Sequence, residues 1–173
     1  MVRSRLALLV GCLLAGVVGL ARVAQAQAPQ AELHLAVINT TARAAAASGT
    51  PRADSSARPG DVLEYRITFT NTHAQPVRAI VLNGPMPAGT VLVDGSARAA
   101  HAALELSTDG GHTFAAHPMV LDTVNGQRVR RPATAAEITA LRWRIEGAVA
   151  PGSTVTATYA VRVLDAAHPA PTR

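Results

Sequence analysis

The chain has 173 residues, 49% of them hydrophobic, 16% charged and only 3% aromatic, with a formal net charge of +5. Every one of the 16 basic residues is arginine, and Cys12 is the single cysteine. An intramolecular disulfide is therefore excluded, and so is lysine chemistry of any kind: no Schiff base, no P-loop lysine, no isopeptide crosslink. The length suits one domain behind a leader.

Residues 1–26 (MVRSRLALLVGCLLAGVVGLARVAQA) have the three parts of a secretory signal peptide. Arg3 and Arg5 form the positive start. Residues 6–21 are an uncharged apolar run of 16 residues, short for a membrane span of about 20. Ala24-Gln25-Ala26 is a small-x-small cleavage site. Leu9-Val10-Gly11-Cys12 has the look of a lipobox, but too few apolar residues precede Cys12 and the apolar run continues beyond it. Cleavage after Ala26 without lipidation is the expectation. Removing the three leader arginines leaves 13 against 11 acidic residues, a net of +2. So neutral a domain, so poor in aromatics, lacks the field and the stacking platforms of a nucleic-acid binder, and no nucleic acid is expected.

The remaining chain alternates with period two, not 3.6. Leu33, Leu35 and Val37 mark a first strand. Residues 42–60, rich in Ala, Ser, Pro, Gly and Arg, read as a flexible loop; the Ala run is short and meets Gly49 and Pro51. DVLEYRITFTN (61–71) is the clearest strand, with Leu63, Tyr65, Ile67 and Phe69 on one face. Strands follow at 77–83 and 90–96 around the turn PMPAG (85–89). Residues 102–107 and 112–116 flank another turn, and 118–127 form a strand ending in a Val-Asn-Gly turn. Residues 132–138 suit a helical turn. In 139–145, Leu141, Trp143 and Ile145 alternate with Arg142 and Arg144. After the turn 150–152, residues 153–164 form the last long strand, with Tyr159 on its apolar face. Seven to nine short strands with turns every 8–12 residues predict an all-β antiparallel sandwich. Its core is expected to contain Leu63, Tyr65, Ile67, Phe69, Trp143 and Tyr159. The expected divisions are a signal peptide (1–26), a first strand with a flexible loop (27–58), a sandwich body (59–165) with an insertion at 97–140, and a disordered tail (166–173).

Gly60-Asp61, Tyr65, Asn71 and Pro87-Ala88-Gly89, followed by VAPGSTVTATYAVRV (149–163), form an ordered set of motifs. Over 59–96 and 141–164 the chain resembles the bacterial surface-repeat family known as domain of unknown function 11. The resemblance implies an immunoglobulin-like sandwich in an exported or envelope protein. The chain departs from the family in having one copy and the longer 97–140 segment. The family has no assigned activity, so the resemblance implies no catalytic residue.

The candidate residues are turn formers. Gly60 and Gly111 suit backbone conformations that other residues resist, Gly89 marks a break between strands, and Asp61, Asn71 and Asp109 can bond nearby backbone amides. Pro87 punctuates between strands. STDGGHTF (107–114) matches the Asp-box pattern S-x-D-x-G-x-T-[FW], one copy of which means a stabilised hairpin rather than a calcium or ligand site. The six histidines (34, 73, 101, 112, 117 and 168) show no zinc-ligand spacing, so no metal is expected. Arg128, Arg130 and Arg131, with Arg142 and Arg144, suit either a solvated edge that discourages aggregation or a stripe for an anionic glycan, lipid headgroup or acidic partner. No G-x-S-x-G turn, phosphate loop or paired acids mark a reaction. The expectation is a non-catalytic, cofactor-free structural, adhesive or accessory protein in the periplasm, at the cell surface or outside the cell. It would meet an unknown envelope protein or itself, and a membrane only transiently through its leader. Two alternatives are a self-assembling fibre or surface-layer subunit using residues 32–39 for strand addition, and a ligand-binding module built on 97–140.

Overall fold

The computed structural model describes residues 31–50 and 56–165. The leader at 1–26, Cys12 and the tail at 166–173 lie outside the described residues. Twelve strands are present among them, nine with three or more residues. The chain is mostly β, in antiparallel sheets.

The larger sheet has the order β1-β2-β12-β5, with β6 also on β12. These are β1 (Glu32–Asn39), β2 (Val62–Thr70), β12 (Thr154–Val163), β5 (Thr90–Leu92) and β6 (Arg98–Ala99). Tyr159 lies opposite Tyr65, and Ala157 opposite Ile67, so alternate residues of both strands share one face. The opposite face carries threonines, and the Thr70 and Thr154 hydroxyls are 3.1 Å apart. The smaller sheet has the order β4-β10-β7: β4 (Val81–Gly84), β10 (Ala140–Ile145) and β7 (Ala102–Ser107). The pair β3 (Val77–Arg78) and β11 (Ala148–Val149) continues beyond it. A hairpin, β8 (Met119–Val124) and β9 (Gln127–Pro132), pairs with no other described strand.

The two sheets face one another across one core. Tyr65, Ile67, Phe69, Ala157, Tyr159 and Val161 enter from the larger sheet, and Leu82, Leu141, Trp143 and Ile145 from the smaller. The Tyr159 ring stacks on Tyr65 at 5.0 Å and meets Trp143 at 5.8 Å. Its hydroxyl donates to the Pro85 carbonyl, which satisfies the polar end of a buried ring. Of the six expected core residues, Tyr65, Ile67, Phe69, Trp143 and Tyr159 are buried, whereas Leu63 is half-buried at the core's margin.

The turn residues have the chemistry expected of them. Gly60 (φ 85°), Gly89 (φ 76°) and Gly111 (φ 91°) are left-handed. Pro87 accepts a hydrogen bond from the Thr90 hydroxyl. Buried Asn71 donates to the carbonyls of Gln75 and Val149 and accepts from the His73 amide. Asp61 accepts from the Arg58 amide and also from the Asn39 side chain, 22 residues away.

Three expectations need correction. Residues 42–60 are not all loop: α1 (Thr40–Ala47) is helical. Asn39 caps it by accepting from the Ala42 amide, alanine has the best helix propensity, and Ala42 is fully buried. The strand expected at 77–83 is broken by Ala79 at φ 55° into β3 and β4. No strand is expected over 128–131, whose arginines read as a solvated edge or an anion-binding stripe, yet these residues form the body of β9 (Gln127–Pro132). Asn125 (φ 52°) and Gly126 (φ 78°) supply the two positive φ angles of a type I′ hairpin turn.

Gly84 tests the packing. A Cβ there would stand 3.0 Å from both Leu141 Cγ and Tyr159 Cε1. Gly84→Ala is expected to cost about 1–3 kcal/mol through overpacking. Urea denaturation should show a lower midpoint at an unchanged slope.

Candidate functional site

The 97–140 segment contains the Asp-box turn at 107–114. The Asp109 carboxylate accepts from the Thr113 amide and hydroxyl and from the Ser107 hydroxyl. These bonds, led by the Thr113 hydroxyl, hold its pKa far below the usual carboxylate range. The Gly111 amide donates to Ser107 Oγ, and Phe114 lies within reach of Gly111. The Arg142 guanidinium sits 4.0 Å from the Phe114 ring centroid and donates to Glu105 at 2.7 Å. The Asp109 and Ser107 side chains thus hold the turn itself, and the Gly110 amide ties it to Thr139 Oγ1.

Arg131 ties the base of the hairpin to the body. It donates to Glu137 through two nitrogens at 2.8 Å each and to Asp122 through Nε at 2.7 Å. Glu137 also accepts from the Thr134 amide and hydroxyl. The bidentate fork explains why Glu137 titrates near 2. Arg131 in turn lowers Asp122. This hub was not legible in the sequence, because Asp122 and Glu137 are brought to one arginine only when β8 and β9 pair.

Asp109 is engaged by its own turn and Glu137 by Arg131. A cleft of about 450 Å³ lies elsewhere, lined by His101, Glu146, Val149, Ser153, Val155 and Thr156 among others. Among the described residues no three His, Cys, Asp or Glu side chains gather as a metal site. Nor do the five arginines form one stripe. Arg142 and Arg144 lie on β10, Arg131 is held by two acids, and Arg128 and Arg130 are exposed on β9.

The most unusual surfaces are apolar. Leu33, Leu35 and Val37 lie opposite Phe69, Ile67 and Tyr65 and share their face. Those β2 partners are 9%, 2% and 7% exposed, yet the β1 residues are 67%, 48% and 50% exposed. One strand spacing, about 4.8 Å, separates core from surface. The smaller sheet ends at β4 and leaves the inner face of β1 uncovered. The outer edge of β1 has no partner among the described strands. Four further exposed apolar residues, Met119, Leu121, Val124 and Val129, lie on the β8–β9 hairpin.

No family model matches the chain, and no curated protein or solved structure matches it.

The Arg131 hub makes a pH prediction. Because the folded-state pKa of Glu137 lies below its ordinary value of 4.5, its stabilisation is complete above that pH. It is lost as the pH falls toward about 2. Hydrogen-exchange protection in 119–132 should therefore fall across this range. Glu137→Gln should remove most of that dependence and leave the smaller part owed to Asp122.

Proposed function

We propose that the protein is an exported, non-catalytic, immunoglobulin-like β-sandwich that serves as an assembly module of the bacterial envelope or extracellular space. The leader pattern supports export. The surface-repeat resemblance over 59–96 and 141–164 and the two facing sheets support the fold. The observation that carries the function is the uncovered Leu33–Leu35–Val37 stripe beside a free strand edge.

A second copy is the occupant that fits this step. In each copy the larger sheet overhangs the smaller by one strand, beyond β4. A copy related by a two-fold axis along the strands sets its β1 beside the other's β4. Each β1 then roofs the other's apolar stripe, and both free edges gain partners. Such contacts are self-complementary, as a two-fold dimer requires. The edge is also unguarded: β1 has no proline, lysine or arginine, its register with β2 is unbroken, and its only carboxylate is Glu32 at its start.

The test is mass in solution, by light scattering after size exclusion of the protein recovered from a secreting host. A dimer is expected. Leu33→Asp/Leu35→Asp should give a folded monomer, since both side chains are exposed within one copy. A wild-type monomer at about 100 μM would overturn self-association. Open polymers lost on deleting 32–39 would instead favour the fibre reading.

A further inference from the structure

The β8–β9 hairpin has two unlike faces. Val120, Asp122 and Arg131 are half-buried on the inner face, where Arg131 meets its acids. The outer face holds Met119, Leu121 and Thr123 opposite Pro132, Arg130 and Arg128, and all six are exposed. Leu121 is the most exposed large apolar residue of the hairpin, at 65%. The cation on the inner face is neutralised, whereas Arg128 and Arg130 form no ion pair among the described residues. Two free guanidinium groups therefore flank an apolar pair on a ribbon that projects from the body.

We propose that this outer face docks on the surface of an anionic lipid bilayer. Arg128 and Arg130 would meet headgroup phosphates while Leu121 and Met119 enter the acyl boundary. The chemistry of the ribbon selects this partner. Residues 119–132 contain no aromatic side chain on which a base or a sugar ring can stack. A bare phosphate backbone would leave Leu121 and Met119 in water, whereas a lipid surface accepts charge and apolar side chains together. The contact uses no residue of the leader or of the β1 stripe.

The probes are sedimentable vesicles of phosphatidylcholine alone or with 30% phosphatidylglycerol. The protein is taken from a secreting host, and mass spectrometry reads its N-terminus so that any retained leader is recognised. Partition is expected onto the anionic vesicles only, and to weaken with salt. Arg128→Gln/Arg130→Gln should lower it about 30-fold, whereas Arg144→Gln on β10 should leave it unchanged. Leu121→Gln should lower it at unchanged charge. Leu121→Trp should shift its emission to the blue on anionic vesicles, because the native Trp143 is buried and constant. An unchanged melting midpoint confirms that each variant is folded. No partition, equal partition onto neutral vesicles, or partition indifferent to the hairpin variants would each overturn the proposal.

Discussion

Tyr159 stands where the two sheets meet. Its ring stacks on Tyr65 within its own sheet, touches Trp143 of the facing one, and its hydroxyl is tied to the Pro85 carbonyl. The sequence contains one Trp, two Tyr and two Phe, so three of its five aromatic rings gather at this point. With one cysteine in the chain, no intramolecular disulfide shares the task. Holding two sheets together at about 10 Å thus falls to a single cluster that also has to satisfy a buried phenol. Gly84 is part of this arrangement, since any side chain there would press on Leu141 and Tyr159 together.

A core centred on β2, β12 and β10 extends only as far as the narrower sheet. Beyond β4 no described strand roofs the larger sheet, and an alternation that buries Tyr65, Ile67 and Phe69 leaves its continuation on β1 exposed. The exposed apolar residues are accordingly not scattered. Three are on β1, four on the β8–β9 hairpin, and Val81 is on β4, the edge strand of the smaller sheet. Scattered single exposures need no explanation, whereas grouped ones on unpaired edges ask for a partner.

The strands were legible because alternation is a local property. Their cover was not: Leu63 to Phe69 and Leu33 to Val37 have the same pattern, and only the width of the facing sheet distinguishes them. The turns were legible where one residue does the work, as at Gly60, Gly89 and Asn71. The helix α1 is hidden because its capping residue, Asn39, closes a strand and stands three positions before Ala42, where the expected loop begins. The second hairpin strand escaped because QRVRRP sets arginines where an apolar run was sought. The preceding Asn125-Gly126 was its true signal. Asp61 was read as a turn former, yet it also fastens Asn39 and so joins the start of α1 to the start of β2.

The arginines divide by whether an acid answers them. Arg66, Arg131 and Arg142 each have one within hydrogen-bond distance, and Arg131 has two. On the hairpin this leaves the outward pair, Arg128 and Arg130, as the charge available to a partner. Two arginines and two apolar side chains make a weak anchor by themselves. Self-association through β1 changes that arithmetic, because a dimer carries two ribbons. Where both reach one surface, the second contact becomes intramolecular, and avidity can exceed the single affinity by about 10²–10⁴. Under the two proposals assembly and surface attachment would reinforce one another: loss of the β1 contact would weaken attachment without altering any residue of the ribbon.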